Sequence, residues 1–284
     1  MKKKLVVIFI CIFLIISLFI LYARFIGTKG LKIKEYKIVN EKIIDEYHGL
    51  KVVHISDIHY ATTIFEKQLN NLVEKINELK PDIVVLTGDL FDKDNSYDKD
   101  ILIKYLSNIN ASLGKYAISG NHDLPVEDFY YIIENSGFIN LDNDYDLVYK
   151  NTNQPIIISG VSSNFFDSSN IGAKTEKFDN YINNISLDEI KPIYSILLMH
   201  EPDFIDELNI DSYDLILSGH SHGGQVRLPI IGKIHTPYGS KKYYEEYYKI
   251  NNSDLYISSG IGTSWLKLRF FDKPSFNFYR ITNK

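Results

Sequence analysis

Side chains that can bind divalent metal ions occur in five short groups along this chain. Five of the eight histidines fall in these groups, and most of the groups directly follow an apolar run. Carboxylate, amide and imidazole ligands without a thiolate suit Mn, Fe, Zn or similar divalent ions. The pattern therefore predicts a metal centre. The groups are Asp57-Ile58-His59, Gly88-Asp89, Gly120-Asn121-His122-Asp123, Met199-His200 and Gly219-His220-Ser221-His222.

Each group alone has an ordinary structural explanation. Asp57 could cap a helix, Gly88-Asp89 could form a turn, and His200 could be a half-buried histidine. The occurrence of all five in order favours a two-metal site, in which an anionic bridge offsets the repulsion between ions about 3.5–4 Å apart. Asp89 is the expected bridge, because its carboxylate has two oxygens and the preceding glycine allows a close backbone approach.

The elements that must position these groups alternate between strand and helix in the first half. Apolar runs predict strands over 51–56, 82–87 and 116–119, and apolar spacing predicts helices over 69–79, 102–113 and 126–136. Asp57 is as far from Asp89 in sequence as Asp89 is from Asn121, and this spacing is the length of a βαβ unit. Because the ends of such strands share one sheet edge, the groups should meet there.

The second half has a similar pattern with more strands. Strands are predicted over 155–161, 194–199 and 214–218, and the last two lead to His200 and His220. The polar stretch 162–190 is expected to be loop with some helix. From residue 225 onward, turn residues and alternating apolar positions predict hairpins that include 255–259 and 275–281.

The N-terminus has the composition of a membrane anchor. The run from Leu5 to Ala23 is apolar except for Ser17, and at helical rise it covers the hydrocarbon core of about 30 Å. The predicted organisation is an uncleaved single-pass anchor over 1–27, a basic spacer with an edge strand over 28–47, and one domain over 48–284. A cleaved signal peptide and a buried helix are the alternatives. Basic residues flank both ends of the run, so the orientation of the anchor in the membrane stays open. We expect the catalytic domain on the extracytoplasmic side.

Charge and cysteine content exclude some classes of protein. The net charge is −5, so the composition does not indicate a basic surface for nucleic-acid binding, and no nucleic-acid partner is expected. The single cysteine, Cys11, lies in the apolar run, which excludes an internal disulfide and a zinc–thiolate site. Asp92, Asp94, Asp98 and Asp100 are interpreted as a solvated acidic loop rather than a further metal site.

In series, the five groups resemble the motifs of the calcineurin-like metallophosphoesterase superfamily. The resemblance covers roughly residues 48–284 and implies a four-layer α/β/β/α sandwich, preceded here by the N-terminal transmembrane helix. It implies two divalent ions (Mn, Fe or Zn) and a phosphoester substrate. One ion would be held by Asp57, His59, Asp89 and His222, and the other by Asp89, Asn121, His200 and His220. His122 matches the family histidine that approaches the leaving-group oxygen or the phosphate.

The segment from Gly219 to Pro229, with Ser259 to Gly262, resembles a bacterial membrane-anchored branch that includes UDP-diacylglucosamine pyrophosphatases and Gram-positive phosphodiesterases. We therefore expect a cell-membrane enzyme that hydrolyses a phosphodiester or pyrophosphate bond, by a metal-bridging hydroxide, in a lipid-linked or other amphipathic substrate. The guanidinium of Arg227 could bind a phosphate oxygen near the metals, with a structural arginine as the open alternative. A non-catalytic metal-binding scaffold and a nuclease are the alternative functions.

Overall fold

The computed structural model describes residues 2–92, 96–165, 171–184, 191–264 and 266–284. Helices and strands alternate in the first half of the chain, and strands dominate the second half. The helices are α1 (Lys2–Phe25), α2 (Glu66–Glu78), α3 (Lys99–Ser107), α4 (Asp128–Asn135), α5 (Ile171–Lys174) and α6 (Glu176–Asn184). The strands are β1 (Lys32–Val39), β2 (Leu50–Ile55), β3 (Ile83–Thr87), β4 (Gly114–Ile118), β5 (Ile139–Asn140), β6 (Asp144–Val148), β7 (Ile156–Gly160), β8 (Tyr194–Met199), β9 (Leu215–Ser218), β10 (Arg227–Leu228), β11 (Gly232–Lys233), β12 (Tyr247–Ile250), β13 (Ser253–Ile257) and β14 (Ser275–Thr282).

The first sheet has the strand order β1-β14-β2-β3-β4-β5. Strands β2, β3 and β4 are parallel neighbours, and α2 and α3 make the crossovers between them. Helix α2 forms because its apolar residues recur every three or four positions, and Leu69, Leu72, Val73 and Ile76 are all buried. The predicted βαβ units are therefore present, and they place the carboxyl ends of three strands at one edge.

The second sheet has the strand order β12-β13-β9-β8-β7-β6. Its four central strands, β7, β8, β9 and β13, are parallel, and the two outer strands are antiparallel to their neighbours. Every residue of β8 is buried, as expected for a central strand that is covered on both faces. A separate two-stranded antiparallel ribbon joins β10 to β11.

Three apolar cores separate four layers. Helices α2, α3 and α4 cover one face of the first sheet, the two sheets pack face to face, and α5 and α6 lie on the far side of the second sheet. Successive side chains of β8 point into different cores. Ile196 and Leu198 belong to the core between the sheets, whereas Leu197 and Met199 face the outer layer. The predicted α/β/β/α sandwich is confirmed.

Strand β14 and helix α3 differ from the prediction. Strand β14 forms no hairpin with β13; it enters the first sheet between β1 and β2, parallel to one and antiparallel to the other. Helix α3 ends at Ser107, earlier than predicted, because Asn108 turns its side chain back to the carbonyl of Lys104. Strand β1, which was assigned to the spacer, pairs with β14 along its whole length, and the division of the chain at residue 48 stays a prediction.

Helix α1 is long and apolar enough to cross a membrane, judged by length and composition. Its most apolar window has a mean hydropathy of 3.3 and is not buried by the rest of the protein. The exposed face includes large side chains such as Phe9, Phe13 and Leu18. Such a surface is unfavourable in water, so the predicted anchor is a candidate transmembrane helix.

Candidate metal centre

The carboxyl ends of parallel strands deliver the predicted ligands to one buried site. Asp57 follows β2 by two residues, Asp89 follows β3 by two residues, and His200 comes directly after β8. Asn121 follows β4 by three residues, and His220 follows β9 by two residues. All seven predicted ligands, including His59 and His222, are buried. The two sheets thus contribute to a common site, although the role of each residue as a ligand stays a prediction.

Five of these ligands have a left-handed backbone. The φ angles are 50° at Asp57, 44° at His59, 55° at Asp89, 65° at His220 and 49° at His222. Residues other than glycine rarely adopt this conformation, and each instance costs of order 1–3 kcal/mol. The strained turn after β2 brings both Asp57 and His59 inward, which an extended strand could not do. Such strain at a cluster of polar residues is typical of a functional site.

One group of ligand atoms converges around His59. Its Nε2 atom lies 3.2 Å from Nε2 of His222 and 3.5 Å from Oδ2 of Asp89. Nε2 of His222 is in turn 3.4 Å from Oδ1 of Asp57. Asp57 is itself held by the backbone N–H of His220, which donates to its carboxylate at 3.1 Å. These side chains come from both sheets and could hold one metal ion.

A second group converges on the same oxygen of Asp89. Oδ2 of Asp89 lies 3.3 Å from Nε2 of His200, which is 3.2 Å from Nδ1 of His220. Backbone carbonyls fix the other ring nitrogens, since His200 donates from Nδ1 to Thr87 at 2.7 Å and His220 donates from Nε2 to Tyr238 at 2.7 Å. The inward nitrogens are therefore free to act as metal ligands. Asp89 stands between the two groups, as the sequence predicted for a bridge.

Glycine is required where the loops of the two groups touch. A Cβ atom at Gly88 would lie 2.5 Å from the backbone nitrogen of Gly120 and 2.7 Å from Nδ1 of His200. A Cβ atom at Gly260 would lie 2.8 Å from Cβ of Asp57, and its φ of 72° also favours glycine. Any larger residue at either position would push a predicted ligand out of place.

The charges of the centre favour a bound cation. Burial alone would lower the pKa of His200, but the charge of Asp89 reverses this effect and raises that pKa well above its usual value. Burial lowers the pKa of His59 to about 4, and it also lowers the pKa of His222. These two imidazoles are therefore neutral at pH 7, the form that binds metal. A proton on His200 and a metal ion compete for the same negative charge.

The donor set fits divalent metal ions. Among the described residues there are three groups of carboxylate and imidazole side chains, and within each group the possible ligand atoms lie within 4.8 Å of one another. Oδ1 of Asn121 is buried without a hydrogen-bond donor, which is costly unless a cation or water binds it. Carboxylate, amide and imidazole donors match the preferences of Mn, Fe and Zn rather than those of copper in a thiolate site.

Comparison with known proteins places this arrangement in a family. The family model of the calcineurin-like phosphoesterases matches residues 50–224, which is more than half of the 284 residues. The chain belongs to the calcineurin-like phosphoesterase family. It is a metal-dependent phosphoric ester hydrolase, and its His and Asp clusters could hold the metal ions.

Relatives of this metallophosphoesterase come from several lineages. The metallophosphoesterase YkuE of Bacillus subtilis (strain 168) is 30% identical over 92% of this chain and 88% of its own length. The UDP-2,3-diacylglucosamine pyrophosphatase LpxG of Chlamydia trachomatis is 26% identical over 80% of this chain and 82% of its own length. A transmembrane protein with a metallophosphoesterase domain from Danio rerio is 28% identical over 84% of this chain and 54% of its own length.

His122 lies at the rim of the phosphoesterase site. Its side chain is 22% exposed, its ring lies 5.0 Å from that of His59, and its backbone N–H donates to Oδ1 of Asp89 at 2.9 Å. Nδ1 of His122 lies 3.3 Å from a carboxylate oxygen of Asp92, without the geometry of a hydrogen bond. The ring is reachable from solvent and adjacent to the predicted ligands, and its contact with a substrate oxygen stays a prediction.

The interpretation of the acidic loop is therefore incomplete. Asp92 is only 15% exposed at its side chain and faces His122, so it is not a solvated residue. Asp98 caps α3 by accepting hydrogen bonds from the backbone of Asp100 and Ile101. Asp94 lies outside the described residues.

Arg227, the predicted substrate-binding residue, is engaged by protein groups. Its Nη2 donates to both carboxylate oxygens of Glu245, at 2.7 and 2.9 Å, and Nη1 donates to the carbonyl of Gly223 at 3.1 Å. A phosphate would have to compete with Glu245 for this guanidinium. The contact with Gly223, directly after His222, places the arginine next to the site, and its role stays a prediction.

Two buried residues of the site were not identified from the sequence. Asp123 accepts backbone hydrogen bonds from the loops that carry Asp89 and Asn121. Arg269 is fully buried, donates to the carbonyls of Ser259, Gly260 and Gly262, and lies 3.5 Å from Nδ1 of His222. The position of Asp123 within the Gly-Asn-His-Asp group could have identified it as a residue of the site. Arg269 is an isolated arginine in the last part of the chain, and no pattern around it indicates such a role.

Proposed function

We propose that this metallophosphoesterase is anchored in a membrane by α1 and uses two divalent ions to hydrolyse a phosphodiester or pyrophosphate. The observation that carries the proposal is the position of Asp89, whose Oδ2 lies 3.5 Å from His59 and 3.3 Å from His200. One carboxylate thus faces both groups of histidines. In this proposal one ion is bound by Asp57, His59, Asp89 and His222, and the other by Asp89, Asn121, His200 and His220.

When bound, two divalent ions would offset charge on phosphoryl oxygens and would supply a nucleophilic water near neutral pH. The residues of the chain prepare the site for these ions. The carbonyls of Thr87 and Tyr238 orient the rings of His200 and His220, and the backbone of His220 orients Asp57. His122 is placed to hydrogen-bond the leaving-group oxygen or the phosphate. Mn, Fe and Zn are the proposed metals.

The proposed substrate is amphipathic, with its phosphoryl group near the membrane surface. Helix α1 supports this assignment, because an anchor keeps the site near the bilayer and raises the effective concentration of a membrane-borne substrate. A relative that is named for a diacylated sugar pyrophosphate substrate supports it as well. The net charge of −5 argues against a nuclease. We propose the extracytoplasmic side as the location of the catalytic domain.

Metal analysis of the full chain, purified with Mn supplied, tests the two-metal site. We expect about two ions per chain and turnover of bis-p-nitrophenyl phosphate in excess of p-nitrophenyl phosphate. Asp89→Asn should lose most of the metal and the activity, because it removes the charge shared by both groups. Asp82→Asn is a matched control in the same region, since Asp82 precedes β3 and accepts a backbone hydrogen bond from Lys51 at the other end of that strand.

The outcomes separate the alternatives. A folded chain that retains less than one ion despite Mn supply would contradict the two-metal proposal. Full metal content without turnover of either substrate would favour a substrate class beyond simple aryl phosphates. Equal loss of metal in Asp89→Asn and Asp82→Asn would show that the loss reflects stability rather than ligation.

A further inference from the structure

The end of α1 is fixed to a loop of the catalytic domain. The backbone N–H of Arg269 donates to the carbonyl of Ala23 at 3.0 Å, and Ala23 is fully buried. The rings of Phe19 and Tyr22 lie 4.6 and 5.7 Å from the ring of Phe270, in edge-on contacts. The height of this loop relative to the membrane is therefore set by α1.

This contact reaches into the apolar part of α1. Phe19 lies about 9 Å before the helix end at Phe25, at a rise of about 1.5 Å per residue. If α1 spans a bilayer, Phe270 lies near the boundary between headgroups and acyl chains. The next residue, Phe271, is 71% exposed and has a left-handed φ of 55°. An exposed aromatic ring is expected at that depth, where Trp, Tyr and Phe anchor proteins to the interface.

A second apolar projection begins beside the same loop. The N–H of Arg227, the first residue of β10, donates to the carbonyl of Phe270 at 2.9 Å. The turn from β10 to β11 carries a hairpin tip, Pro229 to Ile231, in which Ile230 is fully exposed and Ile231 is 74% exposed. Ile230 has a φ of 72°, which is rare for a β-branched residue. Two adjacent exposed isoleucines add little to the core, and contiguous exposed apolar side chains are typical of an interaction surface.

Basic side chains accompany these apolar residues. Lys29, Lys32 and Lys273 are exposed just beyond the end of α1. Lys32 and Lys273 line a cavity of about 190 Å³ together with Tyr22, Phe270 and Phe271. Lysines beside aromatic rings are the combination that binds anionic headgroups at a membrane surface. This composition favours a lipid leaflet over a protein partner.

A small groove beside the metal centre lies next to the loop that contacts α1. A cavity of about 80 Å³ is lined by the metal-ligand candidate His222, by Gln225 and Pro237, and by the half-exposed Leu266. Gln225 accepts a backbone hydrogen bond from Phe270, so the groove lies between the predicted ligands and the loop that contacts α1. A substrate whose apolar part stays in the leaflet could reach the site by this route.

We propose that Phe271 and the hairpin tip insert into the leaflet at which α1 ends, so that the groove beside His222 opens at the bilayer surface. The proposal rests on the membrane anchoring proposed above and adds a second, peripheral membrane contact that orients the catalytic domain. It assigns the substrate to the lipids of the same leaflet, with the phosphoryl group at headgroup level. None of the inserting residues belongs to the proposed catalytic machinery.

Site-directed fluorescence on the full chain tests the contact directly. In a Cys11→Ser background, Ile231→Cys and Phe271→Cys would each carry an environment-sensitive fluorophore in vesicles of phosphatidylcholine and phosphatidylglycerol. Lipids with a spin label on the acyl chain should quench both probes. Asn252→Cys is the control. Asn252 is exposed in the turn between β12 and β13, at the end of the strands that is opposite the metal centre. Quenching at 231 and 271 no greater than at 252 would overturn the proposal.

An activity measurement tests the consequence. The double variant Ile230→Ser with Ile231→Ser should lose about ten-fold in turnover of a vesicle-borne phosphodiester, since partial burial of two isoleucines is worth that factor. Its turnover of soluble bis-p-nitrophenyl phosphate should be unchanged. Equal activity on both substrates, or loss on both, would overturn the proposal. If the wild-type chain hydrolyses neither substrate, the proposed function fails, and the fluorescence result still decides whether the hairpin tip meets the leaflet.

Discussion

The carboxylate of Asp123 accepts a hydrogen bond of 2.6 Å from the backbone N–H of Asp89. It also accepts hydrogen bonds from the N–H groups of Leu90, at 3.0 Å, and Gly120, at 2.9 Å. Asp89 follows β3 and Asp123 follows β4, so one buried carboxylate ties together the loops of two neighbouring strands. Asp89, the predicted bridge between the histidine groups, is positioned by this contact and by the turn that precedes it.

Asp123→Asn should weaken metal binding by about 10–100-fold, the usual effect of losing a residue that orients a metal ligand. The amide would replace one acceptor oxygen with a donor that faces backbone N–H groups, so the loop carrying Asp89 would move. Metal titration of the chelator-treated protein measures the effect. Asp214→Asn is the control, because Asp214 is also buried and accepts the N–H of Ser195 far from the site. Equal weakening in both variants would contradict an orienting role for Asp123.

His122→Ala should retain the metal content while kcat falls by about 10²–10⁴-fold, the range for acid–base groups. The ring lies at the rim of the site, and its removal leaves the seven predicted ligands intact. If His122 protonates the leaving group, the loss should be larger for an alkyl ester than for a p-nitrophenyl ester, whose leaving group needs little help. An equal loss on both esters would instead indicate contact with the phosphate. Loss of metal would show that His122 is a ligand.

The sequence predicted the elements whose pattern is local. The period of the apolar residues in α2 and the apolar runs of β2, β3 and β8 identify helix and strand without reference to the rest of the chain. Ligand groups at the ends of those strands then followed from the geometry of parallel sheets. The position of β14 could not be predicted in this way, because its partners β1 and β2 lie at the other end of the chain. Alternating apolar residues fit either sheet.

The parts of the site that were missed depend on backbone geometry. Arg269 bonds to the carbonyls of a glycine-containing turn, and no spacing of side chains reveals which carbonyls face inward. The left-handed conformations of His220 and His222 are uncommon for residues other than glycine. Tertiary contacts impose that strain, so it has no signature in local sequence. The engagement of Arg227 by Glu245 likewise depends on how the β10–β11 ribbon packs.

The free energy of unfolding should fall as the pH is lowered, because His54 lies in β2 and is fully buried. Its Nε2 atom is 2.8 Å from Oγ1 of Thr87, and burial lowers its pKa to about 3. In the unfolded chain this pKa is about 6.5. Between pH 6.5 and 3 the unfolded state therefore binds a proton that the folded state does not, and stability present above pH 6.5 is lost as the pH falls.

His54→Gln should flatten that dependence by up to about 1.4 kcal/mol per pH unit. Chemical denaturation of the full chain in detergent, with chelator present, measures the free energy of unfolding at each pH. All metal-ligand candidates are shared by the two proteins, so their titration cancels in the comparison. The exposed His48 provides a control as His48→Gln. Parallel pH profiles for wild type and His54→Gln would contradict a neutral, buried His54.

The pairing of Arg227 with Glu245 allows a direct test of the predicted substrate contact. If Arg227 binds a phosphate oxygen, Arg227→Gln should raise KM about ten-fold with kcat unchanged, as for loss of one charge-assisted hydrogen bond at a partly exposed site. Glu245→Gln should lower KM or leave it unchanged, because it removes the competing carboxylate and keeps the guanidinium. Steady-state kinetics with bis-p-nitrophenyl phosphate distinguish the two variants. If both lose activity to the same extent, the ion pair serves to hold the β10–β11 ribbon against the turn at Gly223, and Arg227 does not contact the substrate.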